Sequence, residues 1–237
     1  MKSIFLTTCG RCGTIWIKTI VSNVFGFKQE LPDMKMFDRQ YARIYEYPAN
    51  VMNNEINSPG NHIYTGHIPM TNMFFLNDFL NIIAMIRDPR DVVVSGAYFN
   101  IMKGNLAKED FKENVLANLY SGHVFTILYS FLGQRNYTPY CIVKYEDMMA
   151  DALKCASNIF DHFGYEYDQE ILKSAIINTQ FKNMSEGREA GQENVNHYFR
   201  KGVIGDWKNY LTQKENAEFI SKHGKLMEEF GYDTSDI

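Results

Sequence analysis

The sequence predicts an α/β fold in which a central parallel sheet is flanked by helices in a three-layer architecture. Short apolar runs rich in Ile and Val recur along the chain, each followed by a polar turn, at 4–6, 63–64, 82–86 and 141–143. Helical patterns alternate with these runs, at about 14–25, 90–102, 147–163, 168–177 and 213–230. Strands that alternate with helices form crossover units, and such units build parallel sheets.

Length and composition favour one domain over residues 1–237. The chain is 45% hydrophobic, enough to bury a substantial core, and no repeat or linker-like stretch divides it. The formal net charge of −4 argues against a nucleic-acid partner. We find no signal-peptide pattern and no run of ~18 uncharged apolar residues, so we predict a cytoplasmic protein without a membrane span. The four scattered cysteines fit a reducing compartment.

The first strand leads into a loop of small residues and then into a helix. The loop reads Thr-Thr-Cys-Gly-Arg-Cys-Gly-Thr over residues 7–14, and an apolar helical pattern begins at Ile15. Because the first N–H groups of a helix lack partners and its dipole is positive there, such a junction binds anions. Inside the loop, the planar guanidinium of Arg11 can grip phosphate or sulfate oxygens. The sequence therefore predicts a site for a phosphate-bearing ligand.

Three other interpretations of this loop stay open. Gly13 and Thr14 can form an ordinary strand-to-helix turn in which the threonine hydroxyl caps the helix. A P-loop-like phosphotransferase would bind ATP here, although the loop lacks the Lys and hydroxyl that end the Gly-x-x-x-x-Gly-Lys-Ser/Thr pattern. Cys9 and Cys12 have the spacing of a thiol–disulfide oxidoreductase, in which a helix N-terminus lowers the pKa of the first thiol.

The second candidate segment begins at Arg87. Pro89 suits the first turn of a helix and Asp88 can cap it, which leaves Arg87 at the end of the preceding strand. Arg87 and Ser95, a guanidinium and a hydroxyl, can then hold a second phosphate. The alternative is a surface salt bridge between Arg87 and Asp91.

The third candidate segment, Phe199–Thr212, reads Phe-Arg-Lys-Gly-Val-Ile-Gly-Asp-Trp-Lys-Asn-Tyr-Leu-Thr. Adjacent Arg200 and Lys201, followed by Gly202, allow a loop to close over an anion. Trp207 can anchor that loop in the core. Taken alone, the segment can also be a basic surface turn.

Together the three segments resemble the cytosolic-type sulfotransferase family, which moves a sulfuryl group from 3′-phosphoadenosine 5′-phosphosulfate (PAPS) to an alcohol, phenol or amine. The loop, Arg-x-Pro-Arg-Asp-Val-x-Val-Ser and Arg-Lys-Gly-x-x-Gly-Asp-Trp-Lys-Asn occur here in the family's order. Smaller matches lie between them, at 66–69, 145–148 and 179–184. The resemblance spans most of the chain and implies a P-loop-like fold similar to that of sulfotransferases and nucleotide kinases.

The resemblance also implies roles for individual residues. The 5′-phosphosulfate would be held by Arg11, Cys12, Gly13, Thr14 and Ile15. The 3′-phosphate would be held by Arg87, Ser95, Arg200, Lys201 and Gly202. The adenine would lie among Trp16, Tyr145, Thr179, Phe181 and Met184. His67 would be the general base that takes the acceptor's proton, and Arg11 would stabilise the leaving phosphate.

PAPS would be the co-substrate and adenosine 3′,5′-bisphosphate (PAP) the product. No metal is expected, because Arg and Lys supply the countercharge, and the acceptor would be a small molecule with a hydroxyl or amine. Two departures from the family pattern are Cys12, where the family usually has Ser, and Thr65, where it has a second Lys. The family's dimer motif is incomplete here, so no oligomeric state is predicted. A protein that only senses the nucleotide is the non-enzymatic alternative.

Two stretches are less regular and are expected on the acceptor side. We predict an irregular segment over residues 26–62, and Phe74 and Phe75 beside it. Residues 185–199 are polar and contain glycine, which predicts either a mobile lid or an ordinary solvated loop.

Overall fold

The computed structural model describes residues 1–30, 46–70, 78 and 80–235. In this part of the chain five strands form one parallel sheet in the order β2-β3-β1-β4-β5. The strands are β1 Ser3–Thr8, β2 Lys28–Glu30, β3 His62–Gly66, β4 Leu80–Ile86 and β5 Cys141–Lys144. Because β1 is central, Phe5 pairs with Tyr64 of β3 on one side and Ile82 of β4 on the other. The predicted parallel sheet is confirmed.

Helices cover the sheet in two groups. The helices are α1 Thr14–Phe25, α2 Glu46–Asn57, α3 Pro89–Met102, α4 Phe111–Ser121, α5 His123–Gln134, α6 Tyr145–Ala150, α7 Ala152–His162, α8 Gln169–Asn178, α9 Phe181–Met184 and α10 Gln213–Glu229. A 3₁₀ helix spans Asp206–Asn209. Helix α8 packs against α1 and α7, while α3, α4, α5 and α10 pack together. Sheet and helix groups make up the predicted three layers.

The starts of α1 and α3 follow from the local sequence. Asp88 accepts a hydrogen bond from the Arg90 N–H at 2.9 Å and Pro89 opens the first turn, so the predicted cap of α3 is confirmed. The suggested Thr14 cap of α1 is wrong. Gly13 is the N-cap residue and no side chain of the described residues caps the helix, while Thr14 Oγ1 lies 3.3 Å from Thr8 Oγ1. The loop therefore leaves the first N–H groups of α1 open.

Three segments differ from the sequence prediction. The stretch predicted as irregular contains β2 and α2, and α2 docks on the sheet through Glu55, which accepts hydrogen bonds from Ser3 and Tyr64. The single helix predicted over 147–163 is two helices, because Asp151 caps a new helix through the Lys154 N–H. Helices α4 and α5 were not predicted. Phe74 and Phe75 lie outside the described residues.

One stretch of the described chain has the length and apolarity of a membrane span. It runs over Phe111–Gln134, across α4 and α5, and 47% of its apolar window is buried inside the fold. A core helix has the same length and composition, and α4 and α5 pack on α3 and α10. The observation is weak support for a membrane span.

Candidate active site

A basic cleft lies where β1, β4 and β5 end, at the carboxyl edge of the sheet. It brings together the three segments singled out in the sequence. The cleft is lined by Arg11, Gly13, Thr14, Ile15, Trp16, Arg87, Ser95, Tyr145, Phe181, Tyr198, Phe199, Arg200, Lys201 and Gly202. All of these except Tyr198 and Phe199 are predicted site residues.

The loop after β1 approaches the cleft with its backbone. Gly13 has φ 88°, and a Cβ there would lie only 2.9 Å from the Tyr145 ring, so a side chain would clash. The Trp16 and Ile17 N–H groups bond to the Gly13 carbonyl. The preceding N–H groups of Thr14 and Ile15 come before the first intrahelical bonds and face the anion-binding end of α1.

Two hydrogen bonds and two aromatic rings hold the guanidinium of Arg11. Its Nε donates to Ser95 Oγ at 3.1 Å and its Nη2 donates to the Tyr198 carbonyl at 3.0 Å. The guanidinium carbon lies 4.8 Å from the Phe99 ring centre and 4.5 Å from that of Tyr198. Burial lowers the pKa of Arg11, and no carboxylate of the described residues pairs with it. The positive charge is therefore oriented but not neutralised.

Arg87, at the end of β4, ties the loop after β1 to the chain beyond Arg200. Its Nη1 donates to the Arg11 carbonyl at 3.2 Å and its Nη2 to the Val203 carbonyl at 2.9 Å. The guanidinium also stacks 4.4 Å above the Tyr145 ring centre. Its buried Nε has no hydrogen-bond partner in the described part of the chain, so one donor remains for a ligand.

Arg87 and Asp91 form the expected ion pair, at 3.3 Å, but both side chains are buried. The prediction of a surface salt bridge is therefore wrong in its location. Asp91 also accepts hydrogen bonds from the Gly205 N–H at 2.8 Å and the Trp207 N–H at 2.9 Å. The side chain of Trp207 is buried, as predicted. Asp91 thus fastens the third segment to α3.

Arg200 and Lys201 share carboxylate partners, unlike Arg11. Arg200 pairs with Asp206 and Glu193, and Lys201 Nζ lies 2.6 Å from Asp206 Oδ1. Burial alone would lower the pKa of Arg200, but the hydrogen bonds to Asp206 and Glu193 raise it overall. Burial opposes ionisation of Asp206, yet the hydrogen bonds from Lys201 and Arg200 lower its pKa. Arg200 and Asp206 therefore stay charged at neutral pH.

The segment 185–199 is tied to the cleft by hydrogen bonds. Arg188 donates to the carbonyls of Phe199 at 2.6 Å and Arg200 at 2.9 Å. The Asn194 N–H donates to the Arg200 carbonyl at 2.9 Å. Polar residues of the segment thus form hydrogen bonds within the protein as well as contacts with solvent.

An apolar cavity that is open to solvent continues from the basic cleft. Trp16 donates through Nε1 to Thr179 Oγ1 at 3.2 Å and meets Tyr145 edge to face, with ring centres 6.2 Å apart. A Cβ on Gly202 would lie 2.3 Å from the Phe181 ring, so only glycine fits beneath that ring. The predicted residues Thr179 and Met184 line this cavity and not the basic cleft.

His67 lies just beyond the end of β3 and does not line the basic cleft. Its Nδ1 is 3.0 Å from the Thr8 carbonyl, which only accepts, so Nδ1 carries the proton and Nε2 has the free lone pair. The side chain is exposed, but its Nδ1 edge faces the protein. Desolvation there, followed by repulsion from His123 and Arg11, lowers the pKa of His67. The ring is therefore neutral at neutral pH.

The side chain of Cys12, another predicted site residue, also lies outside the basic cleft. The thiol is buried, donates to the Gly10 carbonyl at 2.9 Å and touches the Cys9 sulfur at 3.1 Å. Only the Cys12 backbone can take part in the loop's anion site. In the described ranges no group of three His, Cys, Asp or Glu residues is arranged to hold a metal ion.

Sequence reasoning missed the residues that orient the predicted ones. Tyr198 and Phe199 precede the Arg-Lys pair directly, and their aromatic character was the available signal. Phe99 lies one helical turn beyond Ser95 on α3, so the spacing could have placed both on one face. No sequence signal pointed to the pairing of Glu193 with Arg200.

Comparisons with known proteins agree on one family. The profile described as the sulfotransferase domain matches residues 1–231. Sulfotransferase 2B1 of Mus musculus is 25% identical over 98% of this chain and 74% of its own length. The amine sulfotransferase of Oryctolagus cuniculus is 23% identical over 96% of this chain and 81% of its own.

Two solved structures share the fold. Mouse sulfotransferase SULT7A1 complexed with PAP has a TM-score of 0.73 at 21% identity, over 96% of this chain and 85% of its own. Retinol dehydratase in complex with androsterone and inactive cofactor PAP has a TM-score of 0.72 at 15% identity, over 99% of this chain and 83% of its own.

Proposed function

The chain belongs to the sulfotransferase family and is a PAPS-dependent enzyme, and we propose that it transfers the sulfuryl group to a hydroxyl or amine of a small molecule with His67 as general base and Arg11 at the leaving phosphate. The family match favours sulfuryl transfer over the thiol–disulfide and phosphotransferase interpretations of the loop. That residues 1–237 form one domain, and that the protein is cytoplasmic, stay predictions.

One observation carries the proposal: three cationic segments far apart in sequence line one cleft. Arg11, Arg87 and Arg200 come from three separate loops, and Arg87 bonds to the Arg11 carbonyl. A ligand with a single phosphate needs fewer positive groups than this. PAPS and PAP carry phosphates at both ends of the ribose, which fits cations spread along a cleft that opens into an apolar cavity.

The residues present fit the nucleotide by their chemistry. Among the described residues, the N–H groups at the start of α1, the charge of Arg11 and the Nε of Arg87 lack partners, and anionic oxygens can satisfy these donors. The 5′-phosphosulfate is assigned to Arg11 and the backbone of residues 12–15, and the 3′-phosphate to Arg87, Ser95, Arg200, Lys201 and Gly202. The apolar cavity beside Trp16, Tyr145 and Phe181 suits a flat base.

Arg11 is the group that acts on the bond that breaks. Negative charge grows on the leaving phosphate oxygen as the sulfuryl group moves away, so a fixed cation there stabilises the transition state more than the ground state. The guanidinium is held in place before the reaction by Ser95, Phe99 and Tyr198, so no reorganisation is needed. The other cations bind both states alike.

His67 takes the proton from the acceptor. The hydrogen bond from Nδ1 to the Thr8 carbonyl leaves the Nε2 lone pair available, and the lowered pKa keeps the ring neutral. Thr8 is the last residue of β1 and contacts Thr14 at the start of α1, so the base lies beside the loop that carries Arg11. The acceptor oxygen or nitrogen therefore attacks as it loses its proton.

The direct test is transfer of sulfur from labelled PAPS to a panel of alcohols, phenols and amines, followed by mass spectrometry. A sulfated product that requires both the acceptor and an intact His67 supports the proposal. Tight PAP binding with no product from any acceptor would favour a nucleotide sensor. Absence of both PAP binding and product would remove the proposed site.

A further inference from the structure

The Cys-Gly-Arg-Cys stretch remains unexplained by sulfuryl transfer. Cys9 and Cys12 are free thiols whose sulfurs are 3.1 Å apart, which is already contact distance. Cys9 is half-buried and accessible from solvent, whereas Cys12 is fully buried. The two residues between them are Gly10 and Arg11, so the thiol pair encloses the cation assigned to the leaving phosphate.

We propose that Cys9 and Cys12 form a reversible disulfide that switches off nucleotide binding, with a small-molecule disulfide such as oxidised glutathione as the oxidant. The Cys9 thiolate attacks one sulfur of that disulfide and releases one thiol. Cys12 then attacks the Cys9 sulfur of the mixed disulfide, and the Cys12 proton passes to the departing thiolate, which leaves as the second thiol. Two protein thiols lose two electrons and two protons, and the small-molecule disulfide becomes two thiols.

The order of attack follows from the surroundings of each sulfur. Cys9 is the thiol that a dissolved disulfide can reach, because Cys12 has no exposed surface. Burial and the neighbouring Cys9 raise the pKa of Cys12 well above its ordinary value, which disfavours Cys12 as the first nucleophile. Once Cys9 carries the mixed disulfide, Cys12 is already in place beside it.

Closing the disulfide disturbs the loop around Arg11. The S–S distance must fall from 3.1 Å to about 2.05 Å. The Cys12 thiol also loses the hydrogen that it donates to the Gly10 carbonyl. Gly10 and Arg11 both have positive φ, 82° and 53°, and the Arg11 carbonyl accepts a hydrogen bond from Arg87. The backbone of the loop therefore has little freedom to adjust to the shorter S–S distance. The backbone N–H groups of residues 12–15, which are assigned to the 5′-phosphate, belong to this loop and shift with it.

The chemical step is tested on the reduced full-length protein, titrated with mixtures of reduced and oxidised glutathione, trapped by alkylation and mapped by peptide mass spectrometry. We expect a peptide with Cys9 joined to Cys12 and an intact mass lower by two hydrogens, both reversed by dithiothreitol. Two results overturn the proposal: both thiols stay alkylatable when oxidised glutathione is in large excess, or a glutathione adduct on Cys9 persists without closing.

The consequence is tested by PAP titration calorimetry on the same samples, with sulfuryl transfer measured alongside. We expect oxidation to weaken PAP binding at least about tenfold, the effect of losing one charge-assisted hydrogen bond from the loop to the 5′-phosphate. The Cys9→Ser variant should keep its sulfuryl-transfer activity and should not change when oxidised glutathione is added. Unchanged PAP affinity in protein with the mapped disulfide, or equal inactivation of Cys9→Ser, overturns the switch.

The other two cysteines provide a matched control. Burial raises the pKa of Cys141 and of Cys155 to about 11, so both stay thiols at neutral pH. A Cys141→Ser/Cys155→Ser variant should therefore respond to oxidised glutathione as the wild type does, and loss of the response there contradicts the assignment to Cys9 and Cys12. The PAP readout rests on the proposed function, whereas disulfide mapping does not. If the reduced protein fails to bind PAP, the proposed function fails separately.

Discussion

The two ends of the basic cleft differ in whether their positively charged side chains are paired with carboxylates. At the Arg11 end, the guanidinium is held by a hydroxyl, a carbonyl and two aromatic faces, with no carboxylate partner among the described residues. At the Arg200 end, Arg200 and Lys201 are paired with Asp206, and Arg200 also with Glu193. The charge of Arg11 therefore remains available to a ligand, whereas the charges of Arg200 and Lys201 are shared with acidic side chains.

We propose that the difference separates two tasks within the proposed nucleotide site. A cation that stabilises negative charge developing in the transition state works best when it is oriented but not already neutralised. Cations that only hold a permanent phosphate can be shared with carboxylates, because these fix their position and limit repulsion between neighbouring positive groups. The Arg11 end should therefore govern turnover, and the Arg200 end should govern affinity.

The largest effect is expected from His67→Ala, which removes the proposed general base beside the Arg11 end. Turnover should fall about 10²–10⁴-fold, the usual contribution of a general base, while PAP affinity stays nearly the same. Steady-state kinetics and PAP calorimetry on one preparation check both halves. Because the pKa of His67 is lowered, activity should hold as pH falls through the ordinary histidine range and decline only below it. Full activity in the variant would exclude His67 from the mechanism.

Arg11→Lys tests whether the clamp at this end needs a guanidinium. Lysine keeps the charge but cannot bond Ser95 and Tyr198 together while lying flat between Phe99 and Tyr198. We expect turnover to fall about 10²-fold, in the range for loss of one fixed donor to a developing anion, with a smaller change in PAP affinity. Equal losses in turnover and affinity would erase the contrast between the two ends.

Arg200→Ala should produce the reverse pattern. The expected loss is about tenfold or more in PAP affinity, from a charge-assisted hydrogen bond of ~1.5–3 kcal/mol, with turnover at saturating donor little changed. Removal of Arg200 leaves Asp206 and Glu193 with fewer partners, so Arg200→Lys and a thermal unfolding curve serve as controls for folding. Unchanged affinity in a folded Arg200→Ala protein would refute the assignment.

The smallest effect is expected from Glu193→Gln. The amide keeps the shape of the side chain but no longer competes as an anion for Arg200, so PAP should bind about threefold more tightly, in line with the ~0.2–1 kcal/mol of a partly exposed ion pair. Glu189→Gln is the matched control, because Glu189 pairs with exposed Lys182 in the same region. Equal affinity in the wild type and both variants would show that Glu193 does not compete with the ligand.

The sequence predicted the parts of this site that local pattern determines. The glycine-flanked loop at the start of α1, Arg87 at a strand end and the Arg200–Gly202 stretch are each contiguous, and all line the basic cleft. Residues that act across the fold were missed: the Tyr198 carbonyl reaches Arg11 across 187 positions, and no spacing rule connects them. His67 was found through the family resemblance, since a lone histidine carries no pattern.

The secondary structure was likewise predicted where a local pattern determines it and missed elsewhere. Strands and helices with a clear period were predicted close to their observed limits, as for α1 at 14–25. Helix α2 was missed because prolines and polar residues suggested a loop, although Pro48 lies in its first turn, where proline is tolerated. The break between α6 and α7 was missed because Asp151 caps the second helix within a continuous helical pattern.

The central claim is that one cleft recognises a nucleotide with phosphates at both ends of its ribose. It is tested by calorimetric titration of wild type and Arg200→Ala with PAP and with adenosine 5′-monophosphate, which lacks the 3′-phosphate. We expect wild type to prefer PAP by about tenfold or more, and Arg200→Ala to lose most of that preference while its affinity for the monophosphate changes little. Equal binding of the two nucleotides by the wild type would contradict the account.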